Sequence, residues 1–243
     1  QYLKEAGLKK LFIGIEAISK EDLDIYNKNQ ITVDSIEQIL RMLKRHGFDP
    51  DVGRENANRL RFGYIAFHQA TTLSSFKASV AFFERNKLTP KRLLTKVNYF
   101  DGDMDIKKKL TEKGLLSSSE SDYEFIHAEV GLIYKYIKKY AENVLPYREN
   151  IRSVEKHVFR TEGHKKEIAV LCEFRESIDQ SFYDCFNLLI AAAENTKDMI
   201  KLEQEMKQII SEKSEIINKS YDDKKIEEHI KQACEKYNVK AGM

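Results

Sequence analysis

From Ile126 to Ile216, apolar residues return at steps of three, four or seven, a spacing that only a helix places on one side. The first stripe is Ile126, Val130, Ile133, Ile137, Tyr140 and Val144. A second runs Leu171, Phe174, Ile178, Phe182, Cys185 and Leu189, and a third runs Met199, Leu202, Met206, Ile209 and Ile216. Successive stripes of this kind predict long helices packed seam to seam, as an antiparallel coiled coil or a helical hairpin. The Asp222-Asp223 pair after Tyr221 predicts a break before a short terminal helix.

The first half of the chain is patterned differently. Tyr2 to Gly7 reads as the last turns of a helix stopped by glycine, which carries the expectation that a further segment precedes it. Leu11-Phe12-Ile13-Gly14-Ile15 is a near-continuous apolar run, as in a strand covered on both faces, and it ends at the carboxylate of Glu16. Ser19 with Asp22 three residues on resembles a helix cap, and Thr32 to Glu37 opens a helix to Gly47 with Ile36, Ile39, Leu40 and Leu43 on one face. Beyond a loop around Pro50, Phe62 to Phe67 reads as a strand. Thr71-Thr72 then introduces a helix carrying Phe76, Val80 and Phe83, and Leu93 to Phe100 reads as a third strand.

Strand, helix, strand, helix, strand at this spacing predicts a parallel sheet with right-handed crossovers and polar residues at the strand ends forming the site. Three strands alone leave an open edge and an uncovered face, so this half calls for a partner half. The expected class is α/β over residues 1–120, followed by an all-α extension over 121–243.

Lys+Arg (41) and Asp+Glu (39) nearly cancel, which removes the field that nucleic acid or an anionic membrane would select. Cys172, Cys185 and Cys234 form no CxxC pair, and an odd number suits a reducing compartment, with the cytoplasm as the default. No run approaches the roughly 20 apolar residues of a membrane span.

Leu8 to Ala17, followed by Leu23, Asn27-Lys28 and the Thr32-Val33 helix start, resembles the fourth strand and following helix of radical S-adenosylmethionine (SAM) enzymes. The match is to the branch that often carries an N-terminal cobalamin-binding domain. Phe62 to Gln69 with Thr71-Thr72 resembles the fifth strand and its turn, Leu93 to Asp101 the sixth strand, and Leu110 to Leu116 the helix and Gly-Leu-Leu exit after the barrel. The resemblance covers residues 1 to about 145. It implies the C-terminal half of a partial (β/α) barrel, strands four to six, completing a SAM pocket and substrate entrance for 5′-deoxyadenosyl radical chemistry.

In that family a CxxxCxxC motif in the first half of the barrel binds a [4Fe–4S] cluster. No cysteine lies in the barrel-like region here, so the cluster would belong to an absent N-terminal half, and the chain would not be catalytic alone. Cobalamin stays open as a further cofactor of the intact protein. Carried over by position, Glu16 would accept hydrogen bonds from the SAM amino group or ribose, Lys28 would neutralise its carboxylate, and Ile65 would pack against adenine. Gly63 and Gln69 depart from the family pattern on the adenine side. Arg54, Arg59 and Arg61, in an insertion-like stretch from Gly53, read as loop charges within reach of a substrate anion.

No residue is assigned a catalytic role, no metal site emerges, and the substrate is not readable. His68 reads as a surface or capping residue, and Cys172 and Cys185 as small hydrophobes. Two rivals remain: a non-catalytic helical interaction platform derived from such a barrel, and an RNA-binding role for Tyr134, Tyr136 and Tyr140 among Lys135, Lys138 and Lys139.

Overall fold

Serine and threonine caps fix the helix starts in the first half of the chain, and the ladder between two apolar strands fixes the rest. The computed structural model describes residues 2–5, 7–8, 10–49, 58–97, 105–116, 124–161 and 168–238. After a short turn of helix, α1 (Tyr2–Glu5), come β1 (Lys10–Glu16), α2 (Lys20–Ile25), α3 (Val33–Arg45), β2 (Phe48–Asp49), β3 (Asn58–Tyr64) and α4 (Leu73–Arg85). A 3-10 turn, Pro90–Leu94, leads to α5 (Asp105–Glu112), α6 (Ala128–Thr161), α7 (Ala169–Asn195), α8 (Met199–Asp223) and α9 (Ile226–Tyr237). Ser19 Oγ accepts from the Asp22 N–H at 3.0 Å, Thr32 and Ser35 cap each other reciprocally, and Thr72 Oγ1 accepts from the Ser75 N–H at 3.1 Å.

The sheet is parallel, in the order β1-β3-β2, with Lys10 opposite Arg59 and Gly14 opposite Gly63. Alternation along the strands sends Ile15, Leu60, Phe62 and Tyr64 into a core shared with Ile36, Leu40 and Leu43 of α3 and Phe76, Val80 and Phe83 of α4. The Phe83 ring lies 4.6 Å from Tyr64 and 5.9 Å from Phe62.

The opposite face carries Phe12, Gly14, Arg61 and Gly63. Phe12 is 68% exposed, so among the described residues one face of β1 is uncovered where its apolar run predicts cover on both.

Two further expectations are corrected. Asn58 to Arg61, read as part of an insertion-like loop, belongs to β3. The predicted strand from Leu93 to Phe100 is reduced to a bridge between Lys96 and Phe67, with residues 98–100 outside the described part. Pro90 starts a 3-10 turn that buries Leu93 instead of extending it, and pairing begins at Thr95, whose carbonyl accepts from Ala66 and Phe67 at 3.1 and 3.0 Å.

In the second half, α6, α7 and α8 pack against one another and α9 touches all three. Every member of the predicted α7 stripe is buried, and α8 ends at Asp223 as the aspartate pair predicts. The α8 seam runs through Leu202, Met206, Ile210, Ser214 and Ile217, while Ile216 is 59% exposed. Its phase therefore lies one residue beyond the predicted Ile209 and Ile216.

Tyr136 and Tyr140 are buried, the latter hydrogen-bonded to Ser181 at 2.6 Å, so neither ring is presented for stacking by a base. Phe67 joins the two halves of the chain. It stacks on Phe76 at 4.6 Å and meets Tyr134 edge-on at 5.0 Å, while Phe76 meets Phe186 of α7 at 5.5 Å. One core thus runs from the sheet into the bundle.

Inside the bundle, Arg148 is fully buried and gives Nε and Nη2 to the two oxygens of Asp179 at 2.6 and 3.0 Å. Arg175 gives Nη1 to the same carboxylate at 3.2 Å and Nε to buried Glu155 at 2.9 Å. The two arginines also reach the more exposed Glu149 and Glu176 at 3.5 Å each, and with their charges buried the network is tolerable only while those partners are in place. Arg148→Ala is expected to lower stability by about 3–5 kcal/mol in urea unfolding by leaving Asp179, among the described residues, only the single Arg175 contact, and the paired change Arg148→Met with Asp179→Leu should cost far less. Equal losses in both variants would show that the charges are not what matters.

Burial pushes the Cys185 thiol up to about 12. It should therefore resist alkylation near pH 8 in the folded chain and react only on unfolding. Rapid labelling under native conditions would contradict its placement.

Candidate functional site

β1 ends in an unusual turn. Glu16 has φ +61°, and the Ala17 N–H reaches back across it to the Ile15 carbonyl at 2.8 Å, a γ-turn of the rare positive-φ kind. The ladder slips one residue between Gly14 and Glu16. A side chain in this conformation is strained by about 1–3 kcal/mol, and such strain persists only where the surroundings impose it.

The turn folds the Glu16 side chain back over the sheet. Oε1 lies 2.6 Å from where a Cβ on Gly14 would stand, and the two carboxylate oxygens lie 3.7 and 3.6 Å from the same point on Gly63. Since Gly14 and Gly63 are ladder partners, the carboxylate rests on a floor of two glycines on the uncovered face. It is half-buried and makes no hydrogen bond or ion pair with any described residue. A carboxylate can only accept, so among the described residues this group is short of a donor.

Ile65, just past β3, donates its N–H to the Glu16 carbonyl at 2.8 Å and packs against a small cluster of Ile25, Ala70, Val97, Ile106 and Leu110. The structure thus brings together Glu16 and Ile65. Lys28 lies in the turn after α2, where its N–H donates to the Leu23 carbonyl at 2.7 Å and its own carbonyl accepts from Ile31 at 2.9 Å. Its half-buried side chain makes no hydrogen bond or ion pair with either of the other two. Arg61 is exposed on the same uncovered face, and Arg54 falls outside the described residues.

Two residues of this region escape sequence reasoning. Asp22 does not turn its carboxylate back to complete the cap of α2; Oδ1 instead meets His68 Nε2 at 2.7 Å, and His68 is 1% exposed. The expectation of a surface or capping histidine is corrected. The Ala70 N–H donates to His68 Nδ1 at 3.2 Å, which makes Nδ1 an acceptor and places the ring proton on Nε2, donated to Asp22. This is the hydrogen-bond pattern of the Nε2–H tautomer. Tyr26 meets the ring edge-on at 5.8 Å, and Thr71 Oγ1 accepts from the His68 N–H at 2.8 Å. Nothing in the sequence links positions so far apart, and the cap reading accounts for Asp22 without a distant partner.

Nearby, Lys113 at 2.6 Å and Lys109 at 3.7 Å hold Asp24 of α2. The Lys113 hydrogen bond, foremost, keeps the Asp24 carboxyl below the usual carboxylate range. Among the described residues no group of three His, Cys, Asp or Glu side chains is placed to hold a metal ion, and no helix is long and apolar enough to cross a membrane.

No protein-family model matches the sequence, and no curated protein does. Two solved structures match in fold. One is the cobalamin-dependent S-adenosylmethionine radical enzyme OxsB with aqua-cobalamin bound, at a TM-score of 0.58 and 15% identity over 97% of this chain. The other is the same enzyme with aqua-cobalamin and S-adenosylmethionine bound, at 0.55 and 15% over 100% of this chain. The likeness is one of fold. This chain spans 42–43% of the length of that enzyme.

Gly14→Ala puts a methyl group where the Glu16 carboxylate lies. The obstructing atom ends a flexible side chain and Gly14 itself has no positive φ, so the carboxylate moves and the strand stays. G14A should unfold within about 1 kcal/mol of the parent, and a crystal structure of it should show Glu16 swung off Gly63. A large loss of stability would mean that the floor cannot yield.

Proposed function

We propose that this chain is a segment of a cobalamin-dependent type of radical SAM enzyme, in which the ends of β1 and β3 form one side of the SAM pocket. The observation that carries this reading is the Glu16 carboxylate, lacking a donor among the described residues and held on the Gly14–Gly63 floor of an uncovered parallel sheet face. A glycine pair in strand interiors costs packing and marks a close approach, which here is made by the Glu16 carboxylate itself. The residues present fit the group: Glu16 offers an acceptor for an amine or ribose hydroxyl, and Ile65, beside the small apolar cluster, offers a surface for a purine. Lys28 is assigned to the ligand carboxylate.

Bound beside a reduced [4Fe–4S] cluster, SAM supplies hydrogen-abstracting radical chemistry. Cys172, Cys185 and Cys234 all lie on the helices of the bundle, so the cluster belongs to a half-barrel outside this sequence, which would also cover the exposed side of β1. Residues 1–120 would then complete the barrel, and 121–243 would form a helical extension on its outer side. Cobalamin would be held by another part of the same protein. The fold likeness to OxsB supports the assignment in kind and leaves the substrate open.

The test is a protein joining this chain to its cluster-bearing half, reconstituted anaerobically with iron and sulfide. Release of 5′-deoxyadenosine from SAM is expected, with Glu16→Ala weakening SAM about tenfold or more, the scale of one lost hydrogen bond to a charged group. An intact cluster with no cleavage of SAM would overturn the reading in favour of a non-catalytic helical platform.

A further inference from the structure

The connections leaving β1 and β3 are fastened to each other at two points. Near the sheet, the Ile65 N–H donates to the Glu16 carbonyl at 2.8 Å; further out, His68 Nε2–H donates to Asp22 at 2.7 Å. Between these points Ala17, Ile18 and Ser19 on one connection and Ala66 and Phe67 on the other are buried, while Lys20 and Glu21, which open α2, face outward. Two chain segments and two hydrogen bonds therefore close a packed ring, and Glu16 is one corner of it.

That ring matters because Glu16 is strained. A positive φ at a residue with a Cβ reverts to extended backbone unless neighbours forbid it, and reversion would carry the carboxylate off the glycine floor. The Ala17 and Ile65 hydrogen bonds hold the turn from within. The outer bond stops the connection beyond it from paying out chain. Its strength comes from a buried carboxylate accepting from the imidazole Nε2–H at short range.

We infer that Asp22 and His68 are a positioning pair, whose hydrogen bond holds Glu16 in its strained turn and so keeps its carboxylate aimed at the ligand. The ligand part of this inference rests on the reading given above; the mechanical part does not. With the proton on Nε2, the bond needs an acceptor at position 22 and not a charge. Asparagine can serve there, and alanine cannot.

Hydrogen exchange on the full chain reads the mechanical part. Asp22→Ala and His68→Ala are expected to speed exchange about tenfold or more over residues 13–18 and 62–68, with the α6–α8 bundle unchanged as a control of folding. Asp22→Asn should stay within about threefold of the parent. Imidazole ¹⁵N shifts of the unaltered protein should show Nδ1 bare and Nε2 protonated, and this arm decides even where a variant fails to fold. A doubly protonated ring, D22N behaving like D22A, or no local change in D22A and H68A would each overturn the pair.

In the reconstituted enzyme, D22A should raise the KM for SAM about tenfold while kcat falls less. If exchange responds as expected and neither D22A nor E16A alters the use of SAM, the positioning pair stands and the SAM reading fails.

Discussion

A single left-handed residue at the end of a parallel strand sets the geometry around it. With φ at +61°, Glu16 slips the ladder by one residue, sends its carbonyl to Ile65 and lays its carboxylate back along its own strand. None of this is stable alone, since the turn costs about 1–3 kcal/mol. What opposes the cost is the burial of Ala17, Ile18 and Leu23, the Ser19 cap that starts α2 at once, and the hydrogen bond from His68. A site of this kind is preorganised: the acceptor is fixed before any ligand arrives, so less binding energy goes into ordering it.

The small sheet could not supply that rigidity by itself. It has one ladder of useful length and a two-residue edge strand, and such sheets are marginal without helices against them. Phe67 supplies the link, because it comes three residues after β3 and lies between Phe76 and Tyr134, so the floor of the site and the bundle share one core. Lys96 reinforces this joint, with its ammonium 5.6 and 5.7 Å from the Phe125 and Tyr134 rings. The bundle in turn is fixed in register by the Arg148, Asp179, Arg175 and Glu155 network, whose directional bonds allow less sliding than apolar seams do.

Much of this was legible before any coordinates. Strand β1 announces itself by its apolar run, the helix starts by Ser19, Thr32 and Thr72, and the α7 seam by its unbroken spacing, while the run Phe62 to Phe67 marks only the last three residues of β3, which begins at Asn58. Glu16 is marked by its place at a strand end, whereas Ile65 is named only through the resemblance to a fifth strand. The γ-turn was not legible, because Ile15-Glu16-Ala17 contains neither glycine nor asparagine, the usual marks of positive φ. The phase of α8 failed for a different reason: the doublets Ile209-Ile210 and Ile216-Ile217 offer two seams, and only packing against α6 and α7 chooses between them. Leu93 misled because an apolar residue can be buried by a 3-10 turn as well as by a strand. The pairing of Asp22 with His68 left no trace, since tertiary contacts between single polar residues have no period.

The two faces of the sheet differ in a way that bears on what must lie against it. The helix-covered face is filled by Ile15, Leu60, Phe62 and Tyr64, with no polar atom but the Tyr64 hydroxyl, which donates to Ser79 at 2.6 Å. The uncovered face runs from an exposed phenylalanine, with exposed Arg61 opposite it, through two glycines to a carboxylate. A purely apolar cover would satisfy Phe12 and strand Glu16 in a dry environment without a donor, at the cost of burying an unpaired charge. Bulk water would satisfy Glu16 and leave Phe12 without packing. The gradient along this face suits a cover in two parts: packed chain over Phe12, and over the carboxylate seated on the glycines a group that brings its own hydrogen-bond donors to Glu16.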